Sequence, residues 1–308
     1  MTTTPQRGIS VRAWLLMGLL ALIWGGSFLS NKAALAELGV LTTVAFRVGL
    51  AGVALWTYIA VRGLPVPKGA AWIRACLVMG LLNNVVPFSL ILWAQTHIPS
   101  GLAGILNAAT TIFGVGLAAM AFPDERLTGR KSVGIAIGVA GLVATIGPAA
   151  LSQFDITSVG QLAVLGAALS YGVSGIYGRA ALRGIRPEVG AAGTLTASAC
   201  IMVPVALMFE GVPSLDYALP VWAALAYLSL LSSALAYILF YHVLQVAGAG
   251  NLSLVTLLVA PVAVVLGAVV YHEALPVTAY LGLALLALGM LVIDGKILAI
   301  FRVKTRQP

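Results

Sequence analysis

Trp24 and Phe28 are four residues apart, which on a helix sets both rings on one face. Such a wall stacks on an apolar or aromatic ligand; the other reading is a packed core tryptophan beside a helix crossing. Between the two rings, Gly25, Gly26 and Ser27 carry little bulk, which permits close helix approach or local unwinding for gating. Asn83 and Asn84 precede Pro87 and Phe88. Proline lacks an N–H and crowds the carbonyl four residues back, so the Asn83 carbonyl loses its helical donor. An amide beside a freed carbonyl suits an amino-acid head group; interhelical hydrogen bonding is the alternative use of the pair. Phe88 shares a face with Asn84, as Thr111 does with Asn107. Thr110 and Thr111 can also bond their own backbone, which favours Asn107 as the ligand group. Arg47 could meet a ligand carboxylate, or pair with Glu37 and helix-end carbonyls. Tyr177 and Tyr237 are candidates for an inner gate, or aromatic packing. Pro261 frees the carbonyl of Leu257, as a gating bend or a static kink.

These residue types recognise and do not catalyse. His97, His242 and His272 sit at the ends of apolar runs, and His272-Glu273 lacks the second histidine of a zinc helix motif. No Ser-His-Asp grouping and no His/Cys/carboxylate cluster can be assembled, so no catalytic residue, metal or cofactor is expected, and the chain is not read as an enzyme. Every carboxylate lies near a run end or in a connection. Proton-coupled carriers use intramembrane Asp or Glu as relays, so movement of substrate down its own gradient is expected.

The elements that position these side chains follow from composition. The chain is 61% hydrophobic and 8% charged, against roughly 25% charged in soluble domains. Its solvent is therefore lipid. Ten apolar runs are long enough to span, at about 13–35, 41–61, 71–95, 100–122, 131–148, 159–181, 189–209, 218–242, 249–271 and 277–298, the fifth being the shortest. They are continuous and without alternation, so they read as helices and not as barrel strands. The first run is too long for a signal peptide, and Cys76 and Cys200 read as small buried hydrophobes.

Ten spans return both termini to one side. That side gathers 15 of the 17 basic residues, among them Arg62, Arg130, Lys131, Arg179, Arg183 and Arg186. The positive-inside rule makes it cytoplasmic, in a plasma (inner) membrane. The net charge of +8 is thus topology, and basic residues interleaved with stacking aromatics, as nucleic-acid binding needs, are absent. Five tryptophans (Trp14, Trp56, Trp72, Trp93 and Trp222) fall near run ends as interface anchors, whereas Trp24 lies mid-run.

The chain also repeats. Trp24-Gly25-Gly26-Ser27 and the tail Lys32-Ala33-Ala34-Leu35 return 147 residues on as Tyr171-Gly172-Val173-Ser174 and Arg179-Ala180-Ala181-Leu182. Glu125 and Leu127 return as Glu273 and Leu275, and Gly134 and Gly141 as Gly282 and Gly289. Five spans per unit is odd, so the second copy is inverted; residues 1–150 and 151–308 form the two halves. Inverted repeats are a carrier architecture with the site near the midplane, so Tyr171 and Ser174 face Trp24 from the second half.

With these residues in place, the sequence resembles the EamA branch of the drug/metabolite transporter superfamily. The resemblance rests on Trp24-Gly25-Gly26-Ser27-Phe28, Phe46-Arg47, Ser232-Ser233-Ala234-Leu235-Ala236-Tyr237, Pro261 and the two Glu-x-Leu pairs, and covers nearly the whole chain. It implies an all-α membrane carrier in which helices 1–4 and 6–9 enclose a cavity and helices 5 and 10 stay peripheral. Within the branch the chain looks most like YddG-type exporters of aromatic and other amino acids. The expected partners are the lipid bilayer and a small neutral or zwitterionic metabolite, with a monomer plausible. The alternatives are a proton- or exchange-coupled drug/metabolite antiporter and a nucleotide-sugar or sugar-phosphate antiporter, for which a deep Lys/Arg cluster would be needed.

Overall fold

The computed structural model describes residues 11–122, 128–146, 156–247 and 249–294. Glu125, Leu127 and the 150/151 boundary lie outside them, and so do the side chains of Asn251, Ser253 and Thr256. Among the described residues there are ten helical rods and no strand. We label them α1 (Val11–Ala34), α2 (Val40–Arg62), α3 (Ala70–Gln95), α4 (Ser100–Ala121), α5 (Gly129–Ile146), α6 (Ile156–Ala181), α7 (Pro187–Phe209), α8 (219–247), α9 (Ala249–Tyr271) and α10 (Val277–Asp294). Seven of them (α1 to α4 and α6 to α8) are long and apolar enough to cross a membrane. Apolar stretches Leu258–Tyr271 in α9 and Val277–Ile293 in α10 are shorter by that measure, and α5, which starts Gly129-Arg130-Lys131, falls outside it.

Burial is reversed relative to a water-soluble protein. Leu15, Val53, Met120, Met208 and Val265 are exposed, while Thr43, Arg47, Asn84, Ser198 and Ser229 are buried. Polar groups face inward because hydrocarbon cannot satisfy them. Cys76 is buried as expected; Cys200 is exposed, on an outer helix face.

Helices α2 and α7 pack on each other, as do α5 and α10, α1 and α9, and α4 and α6. Small residues set these approaches. A Cβ on Gly134 would strike the backbone of α10 at Gly289, and one on Gly282 the backbone of α5 at Gly141. Gly25 and Gly26 have the same use: a Cβ on the first would meet Val262 of α9, and on the second the Tyr227 hydroxyl of α8. Helix α1 runs through both without a break. Of the two uses open to them, close approach is the one seen.

Two rods loosen mid-way into π-helix, α3 over Leu81–Val85 and α8 over Tyr227–Leu235. Pro87 accounts for the first. It cannot donate to the Asn83 carbonyl, and the Val86 N–H turns back to Leu81, five residues away. The second contains no proline and coincides with Ser229, Ser232 and Ser233.

Candidate functional site

The two π-segments bring backbone and side chains into a cavity of about 650 Å³ at the centre of the bundle. Of the residues singled out above, Trp24, Phe28, Arg47, Asn83, Phe88, Asn107, Tyr171, Ser174 and Tyr237 line it. Asn84, Thr111, Tyr177, Gly25, Gly26, Pro87 and Pro261 do not. Pro261 stands on the exposed face of α9, and Val259 represents that helix at the cavity instead.

The aromatic wall is fixed from α8. Trp24 donates its Nε1–H to the Ser232 carbonyl at 3.2 Å, and its ring lies 5.9 Å from that of Phe240. Arg47 meets the same residue from α2: its Nη2 donates to the Ser232 hydroxyl at 3.2 Å and its Nε to the Ser233 hydroxyl at 3.1 Å. The guanidinium carbon sits 3.8 Å from the centre of the Phe88 ring. Arg47 is 6% exposed, and among the described residues neither Glu37 nor any other carboxylate pairs with it; Glu37 accepts from the Ala218 N–H beside α8. Among the described lining residues none is acidic.

The adjacent asparagines divide their work. Asn84 is fully buried and donates to the Ser198 hydroxyl at 2.9 Å. Tyr237 donates to Asn84 Oδ1 at 3.1 Å and accepts from Asn83 Nδ2 at 2.8 Å, while Ser174 approaches Asn83 Oδ1 at 3.0 Å. Helices α3, α6, α7 and α8 thus meet in one network, with Asn83 on its cavity side.

At one end the cavity reaches the surface at the α6–α7 turn, where Arg179, Arg183 and Arg186 line it. At the other end buried polar side chains fill the space. Asn31 donates to Gln95 Oε1 at 2.8 Å, and Gln95 Nε2 donates to the Phe28 carbonyl at 2.7 Å and the Ser100 hydroxyl at 3.1 Å. Beyond them Lys32 pairs with Glu273 at 2.8 Å. Glu273 also accepts the Ser100 and Gly101 N–H groups, capping α4. Burial acts to raise its pKa, but the Lys32 bond and the two backbone amides hold it below the usual carboxylate value.

Sequence reasoning missed Asn31, Ser232, Ser233, Phe240 and the arginines of the α6–α7 turn as cavity residues. Ser232 and Ser233 were marked by their motif; the arginines were absorbed into topology. Thr110 lines the cavity in place of Thr111, one helical position away. Among the described residues no three His, Cys, Asp or Glu side chains converge as a metal site requires.

A model of the EamA-like transporter family matches residues 12–147 and again 158–294. The chain belongs to the EamA-like transporter family. It is a multi-pass membrane transporter, and its relatives carry matching descriptions. It is 22% identical over 269 residues to the uncharacterized transporter YoaV of Bacillus subtilis, covering 87% of this chain and 92% of that one. It is 28% identical over 293 residues to a probable terminal-alkyne amino-acid exporter of Streptantibioticus cattleyicolor, covering 94% and 95%. The uncharacterized inner membrane transporter YedA of Escherichia coli is 26% identical over 223 residues, 70% of this chain and 69% of that one. A solved crystal structure shares the fold with a TM-score of 0.64 at 21% identity, over 92% of this chain and 97% of its own.

Proposed function

We propose that this EamA-family transporter carries small zwitterionic metabolites, amino acids with apolar or aromatic side chains above all, outward across the inner membrane by alternating access. The observation that carries the reading is Arg47, a buried guanidinium at the cavity wall with two serine hydroxyls as partners and, among the described residues, no carboxylate. A charge so placed needs an anionic partner part of the time, and a substrate carboxylate supplies one. Trp24, Phe28, Phe88 and Phe240 offer the side chain an apolar surface. The resemblance to a probable amino-acid exporter supports the same substrate class.

The architecture behind this reading is ten spans as two inverted five-helix repeats, residues 1–150 and 151–308, with both termini cytoplasmic. The family model matching twice supports it, and so do the packing pairs. Gly134 meeting Gly289 and Gly282 meeting Gly141 are one contact seen twice, as a two-fold axis relating the halves would produce. On this topology the open end at Arg183 and Arg186 faces the cytoplasm and the Lys32–Glu273 end is the closed outer gate. No acidic residue lines the cavity among those described, so transport runs down the substrate gradient without proton coupling.

Counterflow in proteoliposomes tests this, using labelled L-phenylalanine and L-leucine with and without an imposed pH gradient. Wild type should exchange both, independently of the gradient. Arg47→Gln should lose at least about tenfold in apparent affinity, the value of one hydrogen bond to a charged group. Full transport by folded Arg47→Gln sinks the site assignment; a strict need for the gradient sinks the facilitator.

A further inference from the structure

Arg47 answers only one end of a zwitterion. Other residues at the cavity carry the complementary chemistry. Three buried polar atoms of cavity-lining residues have no hydrogen-bond partner: the amide oxygens Oδ1 of Asn31 and Asn107, and the hydroxyl Oγ1 of Thr110, which can accept as well as donate. Asn31 is 2% exposed, and its Nδ2 is committed to Gln95, which leaves the oxygen as the group still to be satisfied. Buried acceptors are almost always paired in folded proteins, so the two amide oxygens at one cavity call for a ligand that donates.

Within α4 the helical ladder tightens beside Asn107: Ala108 N–H bonds to the Ile105 carbonyl and Thr111 N–H to the Ala108 carbonyl. The rod continues through this point to Ala121. Helix α1 packs on α8 and α9 and α4 on α6 and α9, while α2, which bears Arg47, packs on α7 and α8. Helix α8 thus joins the two groups, since Trp24 and Arg47 both bond Ser232.

We propose that Asn31, Asn107 and Thr110 form an ammonium-recognising wall, so that the site selects carboxylates that also carry a primary amine. This rests on the amino-acid reading above and deepens it. A donor-free carboxylate would satisfy Arg47 and leave the amide oxygens of Asn31 and Asn107 unpaired. Deaminated acids should therefore enter poorly although their carboxylate and side chain are unchanged.

The test is inhibition of labelled L-phenylalanine counterflow by unlabelled L-phenylalanine, 3-phenyllactate and 3-phenylpropionate in proteoliposomes. Wild type should prefer the amino acid by about tenfold or more, as loss of a hydrogen bond to a charged group predicts. Thr110→Val keeps the shape and removes a hydroxyl with no partner in the protein, so it should melt as wild type does and reduce that preference severalfold. Asn107→Leu should reduce it too, with its melting curve as the folding control. Arg47→Gln should instead weaken inhibition by all three compounds. Equal inhibition of wild type by the deaminated acids, or an unchanged preference in Thr110→Val, overturns the ammonium wall and leaves the carboxylate site standing. A sodium requirement abolished by Thr110→Val also overturns it, since the acceptors would then serve a coupling ion. Failure of wild type to exchange any amino acid removes both readings.

Discussion

At the scale of single residues, neighbours in sequence take different roles once a helix is placed. Asn83 and Asn84 are adjacent amides, yet the first edges the cavity and the second is fully buried between Ser198 and Tyr237. Asn84→Ala takes one hydrogen bond from each of the Ser198 and Tyr237 hydroxyls and should cost about 1–3 kcal/mol of stability, visible as a lower melting temperature in detergent. Asn83→Ala should melt closer to wild type and show its effect in substrate affinity; the reverse pattern would exchange the two assignments. Trp24 is held by a hydrogen bond and a ring contact, so Trp24→Ala loses position as well as surface. Its apparent affinity for L-phenylalanine should fall about tenfold, an aromatic contact being worth about 0.5–1.5 kcal/mol beyond area. Trp24→Phe should recover most of it.

At the scale of elements, the helices are joined by close glycine crossings and by carboxylates at their N-termini. Glu210 accepts the Leu41 and Thr42 N–H groups at the start of α2, and Glu273 serves α4 in the same way. Gly25→Leu puts a side chain where Val262 already sits and should destabilise the α1–α9 pair by about 1–3 kcal/mol, read by melting. The Glu273 bond has a defined pH dependence. Its folded pKa lies below its unfolded value, so its contribution is whole above the unfolded carboxylate pKa and disappears as pH falls through the folded one. Melting temperature measured from neutral pH into acid should fall more steeply for wild type than for Glu273→Gln, which has no charge to lose. Parallel slopes would assign the acid response to another group.

At the scale of the whole molecule, the cavity is shut by the Asn31–Gln95–Ser100 cluster and the Lys32–Glu273 pair, and open beside the α6–α7 turn. On the proposed topology that opening is cytoplasmic. A single cysteine at Arg183→Cys, with Cys76 and Cys200 replaced by alanine, should react with a membrane-impermeant thiol reagent in inside-out vesicles and not in intact cells. Labelling from outside alone would invert the orientation.

Much was legible in the sequence because lipid imposes it. Hydrocarbon requires long apolar runs with satisfied backbones, so the helices, their order and the exceptional depth of Trp24 could be read from composition and spacing. The recurrence in the sequence was legible too, as the same small residues at one offset, and the family model matches on either side of it. Only the tertiary structure decided which polar groups share a space. Arg47 could have paired with Glu37, and Thr110 and Thr111 could have exchanged places. Helix rotation and the two π-segments fixed those outcomes, turning Arg47 toward Ser232 and Ser233, Thr110 into the cavity and Asn84 away from it. Rotation of a helix about its axis depends on every neighbour at once, and no local pattern of residues encodes it.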